Sequence, residues 1–414
     1  MRETHDTVII GGGQAGLVMS HHLRQRGREH IVLERHRIAE RWRSERWNSL
    51  RFQLPNSWLA LPGKPYQGTD ADGFSHYTDV VQLLIDFAAA ISAPVRTGVD
   101  VMRLARDSQS SGYVLDTTSG EIRARHVVIA TGPFQRPSLP AFAAGVSSRV
   151  YQTDSSRYRS PEDLPTGAVL VVGSGNSGCQ IAHELLRSGR RVLLAASRHT
   201  SVPRRYRGRD VIWWYDALGR FDVDIETLPG KRYPPTTLMT GMDGGYDISP
   251  RLLAGEGAKL VGRIRGASGE RLQLGDDLGK ILNAADESHA AFIAAADRWA
   301  VASEAGAELA PKETFARPGP LLVETCPELD LQEEGVRSIV WANGYGFAFD
   351  WVKLPIIGEG GAPVQRRGVT GCEGVYFLGL HWMHSFRSAI LTFVERDASY
   401  LADHIDGLSG AARG

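Results

Sequence analysis

Cysteine is scarce in this sequence. Of 414 residues, only Cys179, Cys326 and Cys372 are cysteines; they lie far apart and form no CxxC pair. An odd, dispersed set argues against a disulfide framework and points to reduced thiols in a cytoplasmic protein. Net charge is also lacking, since 47 Lys plus Arg balance 47 Asp plus Glu. That balance argues against nucleic acid or an anionic membrane as the main partner. No stretch approaches the roughly 18 consecutive apolar residues of a membrane span. The opening run Val8-Ile9-Ile10 is too short for a secretory signal and is broken by glycines. A soluble, intracellular protein is expected. No GxSxG, HExxH or P-loop occurs, so hydrolase and kinase readings lack support. Asp276-Asp277 has no histidine or further acid at ligand spacing, and no metal site is expected.

Glycine, by contrast, is plentiful: 46 residues, many clustered in specific turns. The length suits two domains, or one inserted in another. Residues 7–35 read as strand, turn, helix and strand around Gly11-Gly12-Gly13-Gln14-Ala15-Gly16. The pattern returns at 168–195 around Gly173-Ser174-Gly175-Asn176-Ser177-Gly178. Two βαβ units predict an α/β fold with two dinucleotide-binding, Rossmann-like domains. Two further apolar strands run into Ala130-Thr131-Gly132 and Ala342-Asn343-Gly344, the kind of strand that carries a chain between two such domains. The expected partition is one dinucleotide-binding domain from 1–157 and 330–414, with a second, 158–329, inserted between. Within the insert, Lys280 to Ala305 is alanine-rich and reads as a long helix, and the tail from Leu408 reads as disordered.

Gly11, Gly13 and Gly16 form a GxGxxG at a strand-to-helix junction. The first glycine permits the tight turn, the second lets backbone approach a pyrophosphate, and the third lets helix pack on strand. The helix start offers free N–H groups to phosphates. Glu34, about 20 residues on, can accept ribose hydroxyls, with Arg35 beside it. Gly173, Gly175 and Gly178 repeat the geometry, but the second strand ends in Ala196-Ser197-Arg198-His199. An acid there would repel a 2′-phosphate, whereas Ser197, Arg198 and the nearby Arg204 can bind one; a solvated basic loop is the plainer alternative. The first site therefore suits FAD and the second NADPH.

The chain resembles the class B flavoprotein monooxygenases, meaning the flavin-containing, YUCCA-like and Baeyer–Villiger enzymes. The resemblance lies in GGGQAG with Glu34, the Arg41-Trp42 pair, Ala130-Thr131-Gly132, GSGNSG, and Ala342-Asn343-Gly344-Tyr345. The segments from Pro203 to Asp210 and from Tyr376 to Trp382 resemble a bacterial branch described as flavoproteins associated with cation transport. The resemblance implies that NADPH reduces FAD and that O2 adds at the flavin C4a to give a (hydro)peroxide, sheltered by retained NADP⁺, which oxygenates a small organic substrate. A homodimer is compatible with it. The Baeyer–Villiger motif is incomplete, because Asp154 stands where its histidine is expected. That favours hydroxylation or heteroatom oxygenation over ester formation. The family's flavin-side amide has two candidates, Gln53 and Asn56. By the same resemblance, Gly379 and Leu380 bring N–H groups to the flavin pyrimidine edge, and His381, Trp382 and His384 line a substrate pocket. The plainer reading makes Trp382 core packing and the histidines surface caps. Trp213-Trp214-Tyr215 is either a domain-interface patch or part of a channel. The rival functions are a disulfide reductase, for which a redox-active cysteine pair is missing, an NADPH oxidase or dehydrogenase without oxygen insertion, and a flavin-bound partner of a transporter.

Overall fold

In the computed structural model, which describes residues 3–231, 234–315 and 327–411, a mixed sheet with a parallel centre and a wholly parallel sheet form the cores of two domains. The first holds β1 (Glu3–Ile10), β2 (His30–Glu34), β3 (Val95–Thr97) and β6 (Gly120–Ile129), with the hairpin β4 (Val101–Arg106) and β5 (Tyr113–Thr117) flanking β6. Val8, Ile9 and Ile10 are buried on both faces of the sheet, as an unbroken apolar run in a parallel strand requires. α1 (Gln14–Gln25) follows β1 and ends at Gly27, whose φ of +64° only glycine adopts cheaply.

The second sheet contains β7 (Tyr151–Asp154), β8 (Ala168–Val172), β9 (Val192–Ala195), β10 (Lys259–Val261) and β11 (Val336–Trp341), in the order β10-β9-β8-β11-β7, all parallel. α2 (Asn176–Arg187) joins β8 to β9. The chain then returns through β12 (Val375–Phe377), which pairs with β6, to the final helix, Val394–Ala411, which lies on α1.

Three expectations need correction. β7 and β11 fall on the first-domain side of the expected boundaries, yet both pair into the second sheet. The crossings therefore lie between Ile129 and Tyr151 and beyond Trp341. There the two connections run side by side, Arg136–Pro137 antiparallel to Tyr345–Gly346. The last helix also runs through 408–411, where a disordered tail is expected; the final three residues and Cys326 lie outside the described residues. The alanine-rich helix spans Leu278–Ala302.

The domains interpenetrate. Trp47 and Leu50, from the loop after β2, are buried in the core on one face of the second sheet. Conversely Tyr206, Trp214, Tyr215, Phe221 and Phe292 of the insert join the first domain's core with Phe52 and Leu391. Trp213, Trp214 and Trp299 meet edge to face within 5.0–5.7 Å, so the aromatic run is domain-interface packing. No helix among the described residues is long and apolar enough to cross a membrane.

Candidate active site

The two glycine turns are built alike. Gly11 has φ +115°, and a Cβ there would lie 2.6 Å from the Ala130 carbonyl oxygen; Gly173 has φ +104° and would meet the Ala342 oxygen at 2.5 Å. Each turn is thus pressed against the exit of a neighbouring strand, at Ala130-Thr131-Gly132 or Ala342-Asn343-Gly344. A Cβ at Gly16 would fall 1.9 Å from the Gly11 oxygen, and one at Gly178 1.8 Å from the Gly173 oxygen, so both helices pack as only glycine allows. The middle glycines differ: nothing lies within 4 Å of a Cβ at Gly13 or Gly175. That open side is where a pyrophosphate would approach. Neither α1 nor α2 has a side-chain cap, which leaves their first N–H groups facing it.

The strand ends that follow distinguish the sites. Glu34 Oε2 accepts the Gly12 N–H at 2.7 Å, whereas at the equivalent place Ser197 Oγ accepts the Ser174 N–H at 3.0 Å. Arg198 is exposed with no side-chain partner among the described residues, and Arg35 is exposed at the first site's rim.

A cavity of about 1250 Å³ runs from Glu34 and Arg35 past Gly11, Gly13, Gln14 and Ala15, along Arg41, Trp42, Gln53 and Ala130-Thr131-Gly132, to Gly379 and Ser177. It exceeds the roughly 300–1,000 Å³ of an ordinary small-molecule pocket and suits a dinucleotide. Gln14 Nε2 donates to the Ala389 carbonyl at 3.0 Å, tying the helix start to the C-terminal wall. Gly379 is needed because a Cβ there would sit 2.6 Å from Ala15 Cβ. At the far end, Asn176 Nδ2 donates to Gln53 Oε1 at 3.4 Å, so an amide of the first site touches the first residue of α2.

Several expected site residues lie elsewhere. Asn56 is buried away from the cavity, donating to the Asp70 carbonyl at 2.8 Å and accepting from Ser75 Oγ at 2.6 Å; it anchors a loop, and Gln53 is the amide that reaches the cavity. Arg204 is 3% exposed. Its Nε and Nη2 donate to Asp210 at 2.9 and 3.1 Å, and its Nη1 to the Gln53 carbonyl at 2.9 Å, while its guanidinium lies over Phe74. It is an internal tie between the domains, not an open phosphate donor. Burial pushes the Asp210 carboxyl up and the Arg204 guanidinium down, so each depends on the other. The Leu380 N–H points at Met383 Sδ, 3.3 Å away. His381 meets Phe134 edge-on at 5.3 Å, and Trp382 meets Phe386 at 5.5 Å. His384 sits between Asp224, 3.5 Å away, and Asp397, 3.9 Å away. None of these three lines the cavity. The cavity is also lined by Tyr345, of the Ala342-Asn343-Gly344-Tyr345 segment, and by three residues the sequence did not mark, Arg46, Phe134 and Gln135; Phe134 and Gln135 follow the Thr131-Gly132 exit closely, but Arg46 sits within a charged run. Among the described residues no cysteine lines the cavity, and Cys179 and Cys372 are buried.

The profile of the pyridine nucleotide-disulphide oxidoreductase family matches residues 8–209, the span holding both glycine turns. A CzcO-like oxidoreductase of Geobacillus kaustophilus is 29% identical over 98% of this chain and 99% of its own length. An indole-3-pyruvate monooxygenase, YUCCA1 of rice (Oryza sativa), is 32% identical over 44% of this chain and 45% of its own. The chain is similar in sequence to these oxidoreductases and monooxygenases. Its fold is matched by a flavin-containing monooxygenase from Stenotrophomonas maltophilia, with a TM-score of 0.68 and 18% identity over 98% of this chain and 99% of that one. The shared architecture is a pair of Rossmann-like domains.

Proposed function

We propose that this flavoprotein draws electrons from NADPH and inserts one atom of O2 into a small organic substrate. The two cofactors are FAD, along the cavity that begins at Glu34, and NADPH, across the second glycine turn. The observation that carries this reading is the contact of Gln53 with Asn176. It brings the inner ends of two unlike dinucleotide seats together in one cavity that no described cysteine lines. The disulfide-reductase alternative needs a thiol pair at that junction.

When bound, the flavin supplies electron storage and O2 activation. The chain's own residues do the rest. Glu34 would accept the ribose hydroxyls of FAD, and the free N–H groups at the start of α1 would hold its pyrophosphate. Ser197 and Arg198 would take the 2′-phosphate of NADPH. Gln53, held by Asn176, would present an amide to the flavin's reacting edge. Trp42, Phe52, Leu54 and Leu391 wall that end with apolar surface, which excludes water from the reacting centre. Hydroxylation or heteroatom oxygenation fits better than Baeyer–Villiger chemistry. Asp154 replaces the histidine of that branch, and its Oδ1 accepts the Ser156 N–H at 2.9 Å in a local turn.

The test is a panel of indoles, amines, sulfides and ketones incubated with FAD-loaded protein, NADPH and ¹⁸O2. Indoles head the panel because the rice relative is named for indole-3-pyruvate. A product carrying one ¹⁸O atom is expected. Electrons passing entirely to hydrogen peroxide with every compound would replace this reading with a simple oxidase. Absence of any NADPH turnover would favour a flavin-bound partner of a transporter.

A further inference from the structure

We infer that Arg46, a residue of the first domain, grips the phosphate on the nicotinamide side of the NADPH seated by the second domain. The inference rests on the proposed function, because it needs a dinucleotide at the second glycine turn.

Position is the first argument. In an open parallel sheet the ligand lies across the carboxyl ends of the strands, at the point where strand order reverses. Here that point is the end of β8, with β9 on one side and β11 and β7 on the other. Ser197 and Arg198 follow β9 and mark the adenosine side. The other half of the molecule must then run over the ends of β11 and β7, toward Tyr345 and Ser155. Arg46 lines the same cavity as Tyr345, Ser155 and Ser177. Its guanidinium carbon is 4.9 Å from the centre of the Trp42 ring and 5.6 Å from that of Phe134, and Phe134 in turn meets Tyr345 at 5.2 Å.

Charge is the second argument. Arg46 is half-buried, and its one hydrogen bond among the described residues runs from Nη1 to the Glu45 carbonyl at 2.8 Å. It has no carboxylate partner there. Glu45 is taken by Arg41 at 2.7 Å, and Asp154 by Ser156. The neighbouring arginines are spent: Arg41 also donates to the Phe134 carbonyl, and Arg159 donates to the carbonyls of Ser44, Ser156 and Tyr158. A guanidinium has five N–H donors, and an enclosed cation without a counter-charge is costly to keep. A phosphate matches its fork in shape and sign. Arg46 lies against the Trp42 and Phe134 rings and lines the cavity, so the donors it does not spend on the Glu45 carbonyl are available to a ligand there.

The experiment measures binding to the FAD-loaded protein by calorimetry, with NADP⁺, 2′-phospho-ADP-ribose and adenosine 2′,5′-bisphosphate as probes. The first two carry the nicotinamide-side phosphate and the third lacks it. Arg46→Met is expected to weaken NADP⁺ and 2′-phospho-ADP-ribose by about 10- to 100-fold, the range for losing charge-assisted hydrogen bonds, and to leave the bisphosphate unchanged. Unchanged bisphosphate binding also certifies that the variant has folded. Arg46→Lys keeps the charge without the fork and is expected to recover part of the loss. The inference is overturned if Arg46→Met binds NADP⁺ as tightly as the parent protein. It is equally overturned if all three probes weaken together. A parent protein that binds none of the three refutes the reading of the second site, and this inference with it.

Discussion

Replacing Ser197 with glutamate changes the one feature that separates the two glycine turns. The new carboxylate would occupy the place where Glu34 receives the Gly12 N–H in the first turn, here facing Ser174. It would also stand where a 2′-phosphate must sit. Two like charges about 4 Å apart repel by about 1 kcal/mol in water and by about 4 kcal/mol at an effective dielectric of about 20. Ser197 is half-buried beside the exposed Arg198, so a value near 2 kcal/mol is expected, or about 30-fold weaker NADP⁺. NAD⁺ carries no phosphate at that position and gains an acceptor for its ribose hydroxyls, so its affinity should hold or improve. The assay is the dissociation constant of each dinucleotide on the FAD-loaded protein at low and high salt, since added salt should shrink the NADP⁺ penalty. An NADP⁺-to-NAD⁺ ratio unmoved by the substitution would refute the assignment of Ser197.

Arg204→Met should destabilise the protein by about 3–5 kcal/mol, because it strands the buried Asp210 carboxylate; a loss under about 1 kcal/mol in urea titration would contradict the tie described above. Gln53→Ala should keep both cofactors but lower the fraction of NADPH that yields oxygenated product, by up to about tenfold for one lost hydrogen bond, whereas Asn56→Ala should act on thermal stability and leave that fraction alone. Stability should also fall on acidification. His22 and His126 are held at about 4 by burial, below the usual 6.5. Below pH 6.5 the unfolded chain therefore takes up protons that the folded one refuses, and stability drains away as pH falls toward 4. A stability profile flat between pH 7 and pH 5 would rule this out, and His126→Leu should flatten part of the slope.

The glycine turns were legible in the sequence because their geometry is local. Each needs a strand, a positive φ and a helix within a few residues, and each leaves a fixed spacing. The second site's lack of an acid was equally plain, because one position decides it. What escaped was set by contacts far apart in the chain. Arg204 reads as a surface charge within Pro203-Arg204-Arg205, yet it is sealed by Asp210 and the Gln53 carbonyl. Trp47 and Leu50 read as first-domain residues, yet they complete the second core. The strand 336–341 carries an apolar pattern that fits either sheet, the strand 151–154 reads Tyr-Gln-Thr-Asp and carries none, and only pairing assigns them. Gln53 and Asn56 lie three residues apart and differ in sequence only as two amides; burial and the Asp70 loop separate them. The run from His381 to His384 has the composition of a pocket wall but turns away from the cavity at Trp382, where φ is +53°.

The most direct measurement is an anaerobic titration of FAD-loaded protein with NADPH, followed by the flavin's own absorbance. If the two turns seat unlike dinucleotides that meet at Gln53, one equivalent of NADPH will bleach one bound flavin per chain, and NADH will do so far less readily. A chain that retains no flavin, or a bound flavin that NADPH leaves oxidised, would contradict it.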